Sequence, residues 1–286
     1  MDQAAKLREL LSRPGILLAP GCYDGISARL VERGGFEVAY MTGFGSAASV
    51  LGMPDTGLIS FAEMATHAGN LAAALNIPLI ADADTGYGNA VNVHRTVQAY
   101  ARAGVAGIQL EDQVSPKKCG HTKGKLVVPL PEMLGKIRAA VDARAERDIV
   151  IVARTDARAV NGFDDALERS HAFAEAGADV VFFEAPESEA EMERVAKEIK
   201  APTLINVVQD GRTPCLHADV LARMGFKIAI YPSMLFRIAA LAIQEELARF
   251  QRDKEYTPGD TRMRFSEIQD IVGFPWYYSM EEKYRA

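Results

Sequence analysis

Short apolar runs rich in β-branched residues recur along the chain, and each is followed by a polar segment and then by an amphipathic stretch. This alternation is typical of βα units, in which parallel strands are buried beneath helices. Eight such runs favour a closed (β/α)8 barrel of the TIM type, in the α/β class, over a doubly wound open sheet, which is the alternative fold. The predicted strands cover residues 15–20, 37–42, 78–84, 107–112, 149–155, 180–185, 202–208 and 227–232.

The same pattern predicts one large domain and a short extension. Several amphipathic stretches end at glycine, as expected for helices that close in a left-handed C-cap before the next strand. No low-complexity linker or internal repeat interrupts residues 1–250, so we assign them to the barrel. Residues 251–286 begin with a polar break and continue as helical pieces with several aromatic residues. They predict a C-terminal helical extension that packs on its own barrel or on a neighbouring subunit.

Composition excludes several classes of function. The chain has 286 residues, of which 49% are hydrophobic and 24% are charged, so it can bury the core of a globular protein. Its formal net charge is -6 and charges of both signs are mixed, so we expect no nucleic-acid partner. No apolar run reaches the roughly 20 residues that span a bilayer, and the first residues lack the apolar core of a secretory signal. We therefore expect no membrane partner and a cytoplasmic location.

Polar side chains gather at the ends of the predicted strands. In a parallel barrel, the carboxyl ends of the strands and the loops that follow them surround one common pocket. A carboxylate there is costly to bury without a cation or a hydrogen-bond donor, and a divalent metal ion together with Arg154 could supply both. The residues at these positions are Tyr40, Thr42, Asp82, Asp84, Glu111, Asp112, Arg154, Asp156, Glu184, Asn206 and Gln209.

Asp82 and Asp84 are the strongest candidates for metal ligands. They lie two residues apart on a predicted strand and therefore point to the same side. Oxygen ligands without His or Cys suit Mg²⁺ or Mn²⁺, which retain water molecules and leave positions for an anionic substrate. The alternative is that the two carboxylates only cap the next helix or form turns before Gly86 and Gly88.

The segment TGFGSAAS, residues 42–49, matches the pattern G-x-G-x-x-A of dinucleotide-binding loops. The acidic residue that would bind a ribose, expected about 20 residues later at a strand end, is missing. We therefore favour a loop whose backbone N–H groups hold a substrate carboxylate or phosphate. Asp55 follows a proline in the next segment, where the residues alone favour a simple turn over an acid of the site.

The segment LEDQVSPKKCGHTKGKL, residues 110–126, holds the only clustered Cys and His of the chain, and it is a metal site, a solvated loop or a loop with a catalytic acid. Zinc would require further Cys or His ligands nearby, so a structural zinc site is rejected. The surrounding lysines favour a thiolate at Cys119 and attract an anionic substrate, and the glycines suit a mobile lid. Cys22 and Cys215 lack such neighbours, so we interpret both as small buried structural thiols.

Together these segments resemble the isocitrate lyase/phosphoenolpyruvate mutase superfamily over nearly the whole chain. The resemblance is carried by YDGISARLVERGGFEVAYMTGFGSAASVLGMPDTG, DADTGYGN, LEDQ, KKCGH, VARTDA, FFEAP and VGFPWYYSMEEKY. The chain is similar to the short carbon–carbon lyases, such as those for 2-methylisocitrate and 2,3-dimethylmalate, rather than to the long isocitrate lyases. The resemblance implies a (β/α)8 barrel, dependence on Mg²⁺ and, usually, a homotetramer in which C-terminal helices are exchanged between paired subunits.

The resemblance also implies roles for individual residues. The loop K-x-C-G-H, here Lys117 to His121, accompanies carbon–carbon lyases in this superfamily, and Cys119 in it matches the proton donor. The other matching residues are Asp82, Asp84 and Glu111 for the metal ion, directly or through water; Asp55 for an acid beside it; Thr42, Gly43, Phe44 and Arg154 for the carboxylate of a 2-oxo acid; Tyr40 for a group near the reacting hydroxyl; and Glu184, Asn206, Gln209, Phe182 and Ile230 for the rest of the substrate.

The implied reaction is a retro-aldol cleavage of a 2-hydroxy acid. A base, Tyr40 or a carboxylate beside the metal ion, removes the hydroxyl proton, and Cys119 protonates the carbanion that forms. Isocitrate-specific relatives tend to carry bulkier residues at Phe182 and Ile230, so the pocket is expected to admit a 2-methyl group and to release pyruvate. Gln209 stands where relatives commonly have Glu, which leaves the substrate itself open.

Two further hypotheses stay open. The nearer one is another enzyme of the superfamily, either a phosphonomutase of the carboxyphosphonoenolpyruvate type or an oxaloacetate hydrolase or decarboxylase. The other is a metabolite-binding barrel without catalysis, in which Gln209 marks lost activity. Retention of Cys119 argues against it, because a sensor does not need a proton donor. Both for the lyase and for the metabolite-binding barrel, the expected partner is a small di- or tricarboxylate.

Overall fold

The barrel is built from eight strands. They are β1 (Leu17–Cys22), β2 (Ala39–Met41), β3 (Leu79–Asp82), β4 (Gly107–Glu111), β5 (Val150–Thr155), β6 (Val180–Phe183), β7 (Thr203–Asn206) and β8 (Ile228–Tyr231). The computed structural model describes residues 2–120, 122, 124–144, 147–256 and 263–285. Each strand pairs in parallel with its neighbour in sequence, and β8 closes the circle on β1. The predicted (β/α)8 barrel is confirmed, and the open sheet is excluded.

The amphipathic stretches between the strands are helices. They are α1 (Gln3–Ser12), α2 (Gly25–Arg33), α3 (Gly43–Leu51), α4 (Phe61–Ala74), α5 (Ala90–Arg102), α6 (Leu130–Ala143), α7 (Phe163–Glu175), α8 (Glu189–Glu198), α9 (Ala218–Met224), α10 (Met234–Asp253), α11 (Phe265–Val272) and α12 (Phe274–Lys283). Side chains fix where several of them begin, since Asp24, Ser60 and Asn89 each form a capping box. Across the described ranges, none of these helices is long and apolar enough to cross a membrane.

One end of the barrel is closed by α1. Leu7 and Leu10 of this helix are buried in the same apolar cluster as the side chains that fill the barrel interior, such as Ile80 and Val152. Gly107, the first residue of β4, leaves room for the helix, because an added Cβ would lie 3.0 Å from Leu7 Cδ2. The amino ends of the strands are therefore covered, and a ligand site is left to the carboxyl ends.

The C-terminal helices contact the barrel only in part. α11 packs against α2, where Ile271 is buried. α10 has no buried residue in this single chain and exposes Ile238, Leu241 and Leu247. An apolar surface of this kind marks an interaction face in most proteins. Packing of the extension on a neighbouring subunit stays a prediction.

Candidate active site

A cavity of about 310 Å³ lies at the carboxyl ends of the strands. Of the residues predicted for the site, its wall contains Tyr40, Thr42, Gly43, Phe44, Asp55, Asp82, Lys117, Cys119, Arg154, Asn206, Gln209 and Ile230. The wall is completed by residues without a predicted role, which are Gly120, Val208, Asp210, Pro232, Ser233 and Arg237. Strands and loops from most of the barrel thus meet at one pocket, as the topology requires.

The predicted metal ligands lie in a cluster of buried carboxylates. Asp82 ends β3, Asp84 follows it, and Glu111 ends β4; their exposed fractions are 5%, 4% and 1%. Burial raises the pKa of Asp82, raises the pKa of Asp84 to about 6 and raises the pKa of Glu111 well above its usual range. Each shift reflects the cost of holding negative charge here, so the cluster favours the addition of a cation.

Lys117 reaches into this cluster. Its ammonium group binds Asp55 and lies 2.9 Å from Asp84 Oδ1, and its side chain is only 4% exposed. Burial alone would lower the pKa of Lys117, but the neighbouring carboxylates raise it well above its usual value. Asp55, for which the residues alone favoured a simple turn, is buried and bound by Lys117, so it belongs to the cluster.

Charge and donor chemistry fit a divalent cation. Six carboxyl groups around the cavity are at most 7% exposed, and three equally buried lysine and arginine side chains lie among them, so these carboxyl groups outnumber those cations. Glu111 Oε1 is buried without a hydrogen-bond partner in the described part of the chain. Within the same ranges, no three Asp, Glu, His or Cys side chains converge as a preformed ligand set. The carboxylates are Asp55, Asp82, Asp84, Glu111, Asp156 and Glu184, and the cations are Lys117, Lys125 and Arg154.

Tyr40 is linked to the carboxylates through an amide. Its hydroxyl donates to Gln109 Oε1 at 2.7 Å, and Gln109 Nε2 donates to Asp82 Oδ1 at 3.3 Å. Burial raises the pKa of Tyr40 well above 10, and the charge of Asp82 adds to this rise. Tyr40 is therefore held as a neutral phenol, so a carboxylate suits the role of base better than Tyr40 does.

Arg154 is fixed by several partners. Its Nε and Nη2 atoms donate to the two carboxylate oxygens of Asp156 at 2.9 and 3.0 Å, and Nη1 lies 3.4 Å from Glu111 Oε2. Burial alone would lower the pKa of Arg154, but Asp156, Glu111 and Glu184 raise it well above its usual value. The Arg154 guanidinium carbon lies 5.1 Å from the centre of the Phe182 ring. Phe182 is fully buried inside the barrel and is not part of the cavity wall, so it supports Arg154 from behind.

Residues at the ends of β6 and β7, and in the segment that follows β7, form the far side of the cavity. Asn206 Nδ2 donates to both oxygens of Glu184, at 3.3 and 3.4 Å. Asn206 is part of the cavity wall, whereas Glu184 lies behind it. The backbone carbonyl of Gln209 accepts from Arg237 at 3.0 Å, and Arg237 also binds Asp210 at 3.0 Å. Gln209 therefore borders the pocket next to a cation that the sequence pattern did not single out.

Residues 42–49 begin helix α3, so the predicted loop is wrong. Thr42 is the N-cap, and its Oγ1 accepts from the N–H of Gly45 at 3.3 Å. Gly43 and Phe44, in the first turn, belong to the cavity wall. The N–H groups of a first turn lack partners within the helix and attract anions, so the expected means of holding a carboxylate is available. The first turn lies so close to Asp82 that a Cβ added to Gly43 would be 2.5 Å from Asp82 Oδ2.

We call residues 113–120 and 124–126 the lid, because Lys117, Cys119 and Gly120 of this segment form part of the cavity wall. At its base, Gln113 pairs in antiparallel fashion with Val127. The buried Gln113 amide donates to the carbonyl of Lys118 at 2.8 Å and accepts from the Lys118 N–H at 2.9 Å. Cys119 is half-buried in the cavity wall. The predicted site residue His121 lies outside the described residues.

The other two cysteines differ from one another. Cys22 is buried as predicted, and burial raises the pKa of its thiol to about 12. Cys215 is exposed, so its interpretation as a buried thiol is wrong. No disulfide joins any of the three cysteines, all of which the structure describes.

Known proteins resemble this chain over almost its full length. A family model described as phosphoenolpyruvate phosphomutase matches residues 7–251. The 2,3-dimethylmalate lyase of Eubacterium barkeri is 49% identical, with 99% of each chain covered. The 2-methylisocitrate lyase of Aeropyrum pernix is 44% identical, with 95% of this chain and 87% of the relative covered.

Solved structures share the fold of this protein over almost the whole chain. The structure of oxaloacetate acetylhydrolase in complex with the inhibitor 3,3-difluorooxalacetate has a TM-score of 0.95 and 36% identity, covering 99% of this chain and 97% of the other. The phosphonopyruvate hydrolase complex with oxalate and Mg²⁺ has a TM-score of 0.90 and 33% identity, and both chains are covered completely. The chain therefore belongs to the phosphoenolpyruvate phosphomutase family, within the isocitrate lyase/phosphoenolpyruvate mutase superfamily.

Proposed function

We propose that the protein is a Mg²⁺-dependent carbon–carbon lyase. Its substrate would be a 2-methyl-substituted malate or a 2-methylisocitrate-like 2-hydroxy acid, and its products pyruvate and a second carboxylic acid. The observation that carries the proposal is the position of the Cys119 thiol, on the lid, in the same cavity wall as Arg154, Asp55 and Asp82. The lyase names of the two relatives support the same reaction class.

Substrate binding would begin at two positive sites. The first turn of α3, at Gly43 and Phe44, offers backbone N–H groups to the carboxylate beside the hydroxyl. Arg154, held in position by Asp156, adds a full positive charge from the opposite strands. These two groups orient the carbon–carbon bond between the acid cluster and Cys119.

The chain's own residues would then move two protons. A carboxylate of the cluster would remove the hydroxyl proton, and the neutral Tyr40, whose hydroxyl donates to Gln109, would line the pocket beside the oxygen that loses it. The C2–C3 bond breaks as the C2 carbonyl forms, and its electron pair stays on C3, where the attached carboxylate delocalises it. The Cys119 thiol donates its proton to C3, which completes the second acid and leaves a thiolate.

The oxygen donors Asp82, Asp84 and Glu111 would hold Mg²⁺, directly or through water, as their charge and burial favour. When bound, the ion supplies positive charge that draws electrons toward the oxygens of the 2-oxo acid. We expect a chelator to abolish activity, and Mg²⁺ or Mn²⁺ to restore it.

The far wall limits the substrate. Ile230 presents an apolar surface, which suits a methyl group of the substrate. Gln209 offers a neutral amide, whereas a Glu side chain at this position would repel a distal carboxylate of the substrate. Arg237 adds a positive charge beside Gln209. A substrate with a second carboxylate therefore fits this end of the cavity.

The first test is an assay of purified protein with Mg²⁺ and a panel of substituted malates and tricarboxylates, in which lactate dehydrogenase reports pyruvate. We expect Cys119→Ser to lower kcat by about 10²–10⁴-fold, the usual effect of removing a general acid. The matched control is Cys215→Ser, which changes an exposed thiol and should leave kcat within threefold.

The proposal is wrong if no member of the panel yields a 2-oxo acid and Cys119→Ser behaves like the unmodified chain. Two further assays separate the alternatives within the family. Phosphorus NMR with phosphonopyruvate detects a phosphonomutase or hydrolase, and oxaloacetate consumption detects a hydrolase or decarboxylase. Binding of pyruvate with Mg²⁺, without turnover of any compound, would instead indicate a metabolite-binding barrel.

A further inference from the structure

Lys125, one of the lysines that surround Cys119 in the sequence, is buried at the end of the lid. Its side chain is 1% exposed. The ammonium group donates to the carbonyl of Gly120 and to Asp156 Oδ1, the latter at 2.6 Å. A lysine that is withdrawn from water in this way is held by specific partners, because burying its charge without them is costly.

The two partners of Lys125 belong to different parts of the site. Gly120 directly follows Cys119 in the lid, so the bond to its carbonyl fixes the backbone next to the thiol. Asp156 lies at the end of β5 and binds Arg154 through both carboxylate oxygens. A single ammonium group thus connects the lid to the carboxylate that orients Arg154.

The contact between the lid and the barrel is close. A Cβ added to Gly120 would lie 2.7 Å from Glu184 Oε1, and it would collide with the Arg154 guanidinium as well. Only a glycine lets the lid backbone approach these groups so closely. The bond from Lys125 to the Gly120 carbonyl therefore forms in the arrangement in which the lid lies directly on Arg154.

We propose that Lys125 is a positioning residue that couples closure of the lid over Cys119 to the orientation of Arg154 through Asp156. With the lid closed, the ammonium group satisfies both the Gly120 carbonyl and Asp156. With the lid open, Gly120 withdraws from Arg154, and Lys125 loses one of these two partners. The inference rests on the proposed function, because it assigns a catalytic meaning to the position of Cys119.

Lys118 provides a matched control within the same lid. Its ammonium group also donates to a glycine carbonyl of the lid, that of Gly124, at 2.8 Å, but this contact is exposed. Replacing Lys118 by Met therefore removes a similar hydrogen bond and the same charge. It leaves the connection between the lid and Asp156 intact.

The experiment compares Lys125→Met with Lys118→Met in a Cys215→Ser background. Three quantities are measured on the full chain: kcat and KM for pyruvate release, the rate of Cys119 alkylation by iodoacetamide, followed by peptide mass spectrometry, and the Kd of oxalate in the presence of Mg²⁺. Cys22 should not react, because it is buried and burial raises its thiol pKa to about 12.

For Lys125→Met we expect kcat/KM to fall at least 100-fold, with a lower kcat and a higher KM. Cys119 alkylation should be at least tenfold faster, because the lid no longer holds the thiol, and oxalate should bind at least tenfold more weakly. Lys118→Met should keep the Kd of oxalate within threefold of the parent, and the loss of a positive charge beside Cys119 should slow alkylation rather than speed it. A residue that only stabilises the fold would lower Tm and leave the alkylation rate and KM of the folded protein unchanged.

The inference is overturned if folded Lys125→Met alkylates Cys119 and binds oxalate within threefold of the parent, or if Lys118→Met shows equal losses. Should Lys125→Met fail to fold, Lys125→Gln retains a donor for Gly120 without the charge that Asp156 binds. Weaker oxalate binding in Lys125→Gln then supports the coupling, and unchanged binding overturns it. If the parent releases no 2-oxo acid at all, the proposed function fails, and alkylation and oxalate binding still decide the role of Lys125.

Discussion

Asp156 binds both Arg154 and Lys125, and we expect this single residue to contribute to the stability of the fold. Burial alone would raise its pKa, but Arg154 and Lys125 lower the pKa of Asp156 to about 2. A carboxyl group with a depressed pKa stabilises the folded chain at pH values above its unfolded pKa, near 4. This contribution is therefore complete at neutral pH and is lost as the pH falls from about 4 to about 2.

We expect Asp156→Asn to lower the free energy of unfolding at pH 7 by about 3 kcal/mol, because it removes one partner from buried ion pairs. The difference from the parent should shrink as the pH falls below 4. Urea unfolding at several pH values between 7 and 3 measures both effects. Asp148→Asn is the control, since Asp148 is 66% exposed and pairs with Arg8 at the surface, where about 1 kcal/mol or less is expected. Equal losses in the two variants would contradict the assignment of Asp156.

At the scale of elements, the start of α3 is positioned by the absence of a side chain. Gly43→Ala places a Cβ 2.5 Å from Asp82 Oδ2, so either the helix or the carboxylate must move. We expect KM to rise at least tenfold, because the N–H groups of the first turn shift away from the substrate carboxylate. Steady-state kinetics measure the change.

The control for Gly43→Ala is Gly135→Ala in α6. A Cβ added to Gly135 meets nothing within 4 Å, and alanine in a helix interior is favoured over glycine by about 1 kcal/mol. This variant should be more stable in urea and unchanged in KM. An unchanged KM in Gly43→Ala would show that the first turn does not bind the substrate.

The elements that the sequence predicted correctly are those with a continuous apolar pattern. The predicted strand 149–155 matches Val150–Thr155 almost residue for residue. The predicted strand 15–20 is instead Leu17–Cys22, because Gly15 adopts a φ of +89° and the strand continues through Pro20, where a proline normally signals an end. The apolar pattern did not predict the start of helix α3, because two glycines in its first turn have low helix propensity.

At the scale of the whole molecule, the strand ends could be assigned to one pocket because barrel topology alone brings them together. The connections between site residues could not be assigned in the same way. Lys125 and Asp156 are 31 residues apart, and Tyr40 and Gln109 are 69 apart, so each pair meets only in the closed barrel. Sequence patterns describe the face on which a side chain lies, whereas these contacts depend on the register between strands.

Helix α10 has an apolar face that a single chain leaves exposed to solvent. Ile238, Leu241 and Leu247 are 61%, 56% and 61% exposed, and covering them would stabilise an assembly of several chains. We predict a homotetramer that depends on this face. Leu241→Glu should lower the mass measured by sedimentation equilibrium, because the interface would have to bury a charge. Leu241→Met, which keeps an apolar side chain of similar size at the same position, should retain the mass of the parent. A monomeric parent, or a Leu241→Glu variant of unchanged mass, would exclude α10 as the face that holds the assembly together.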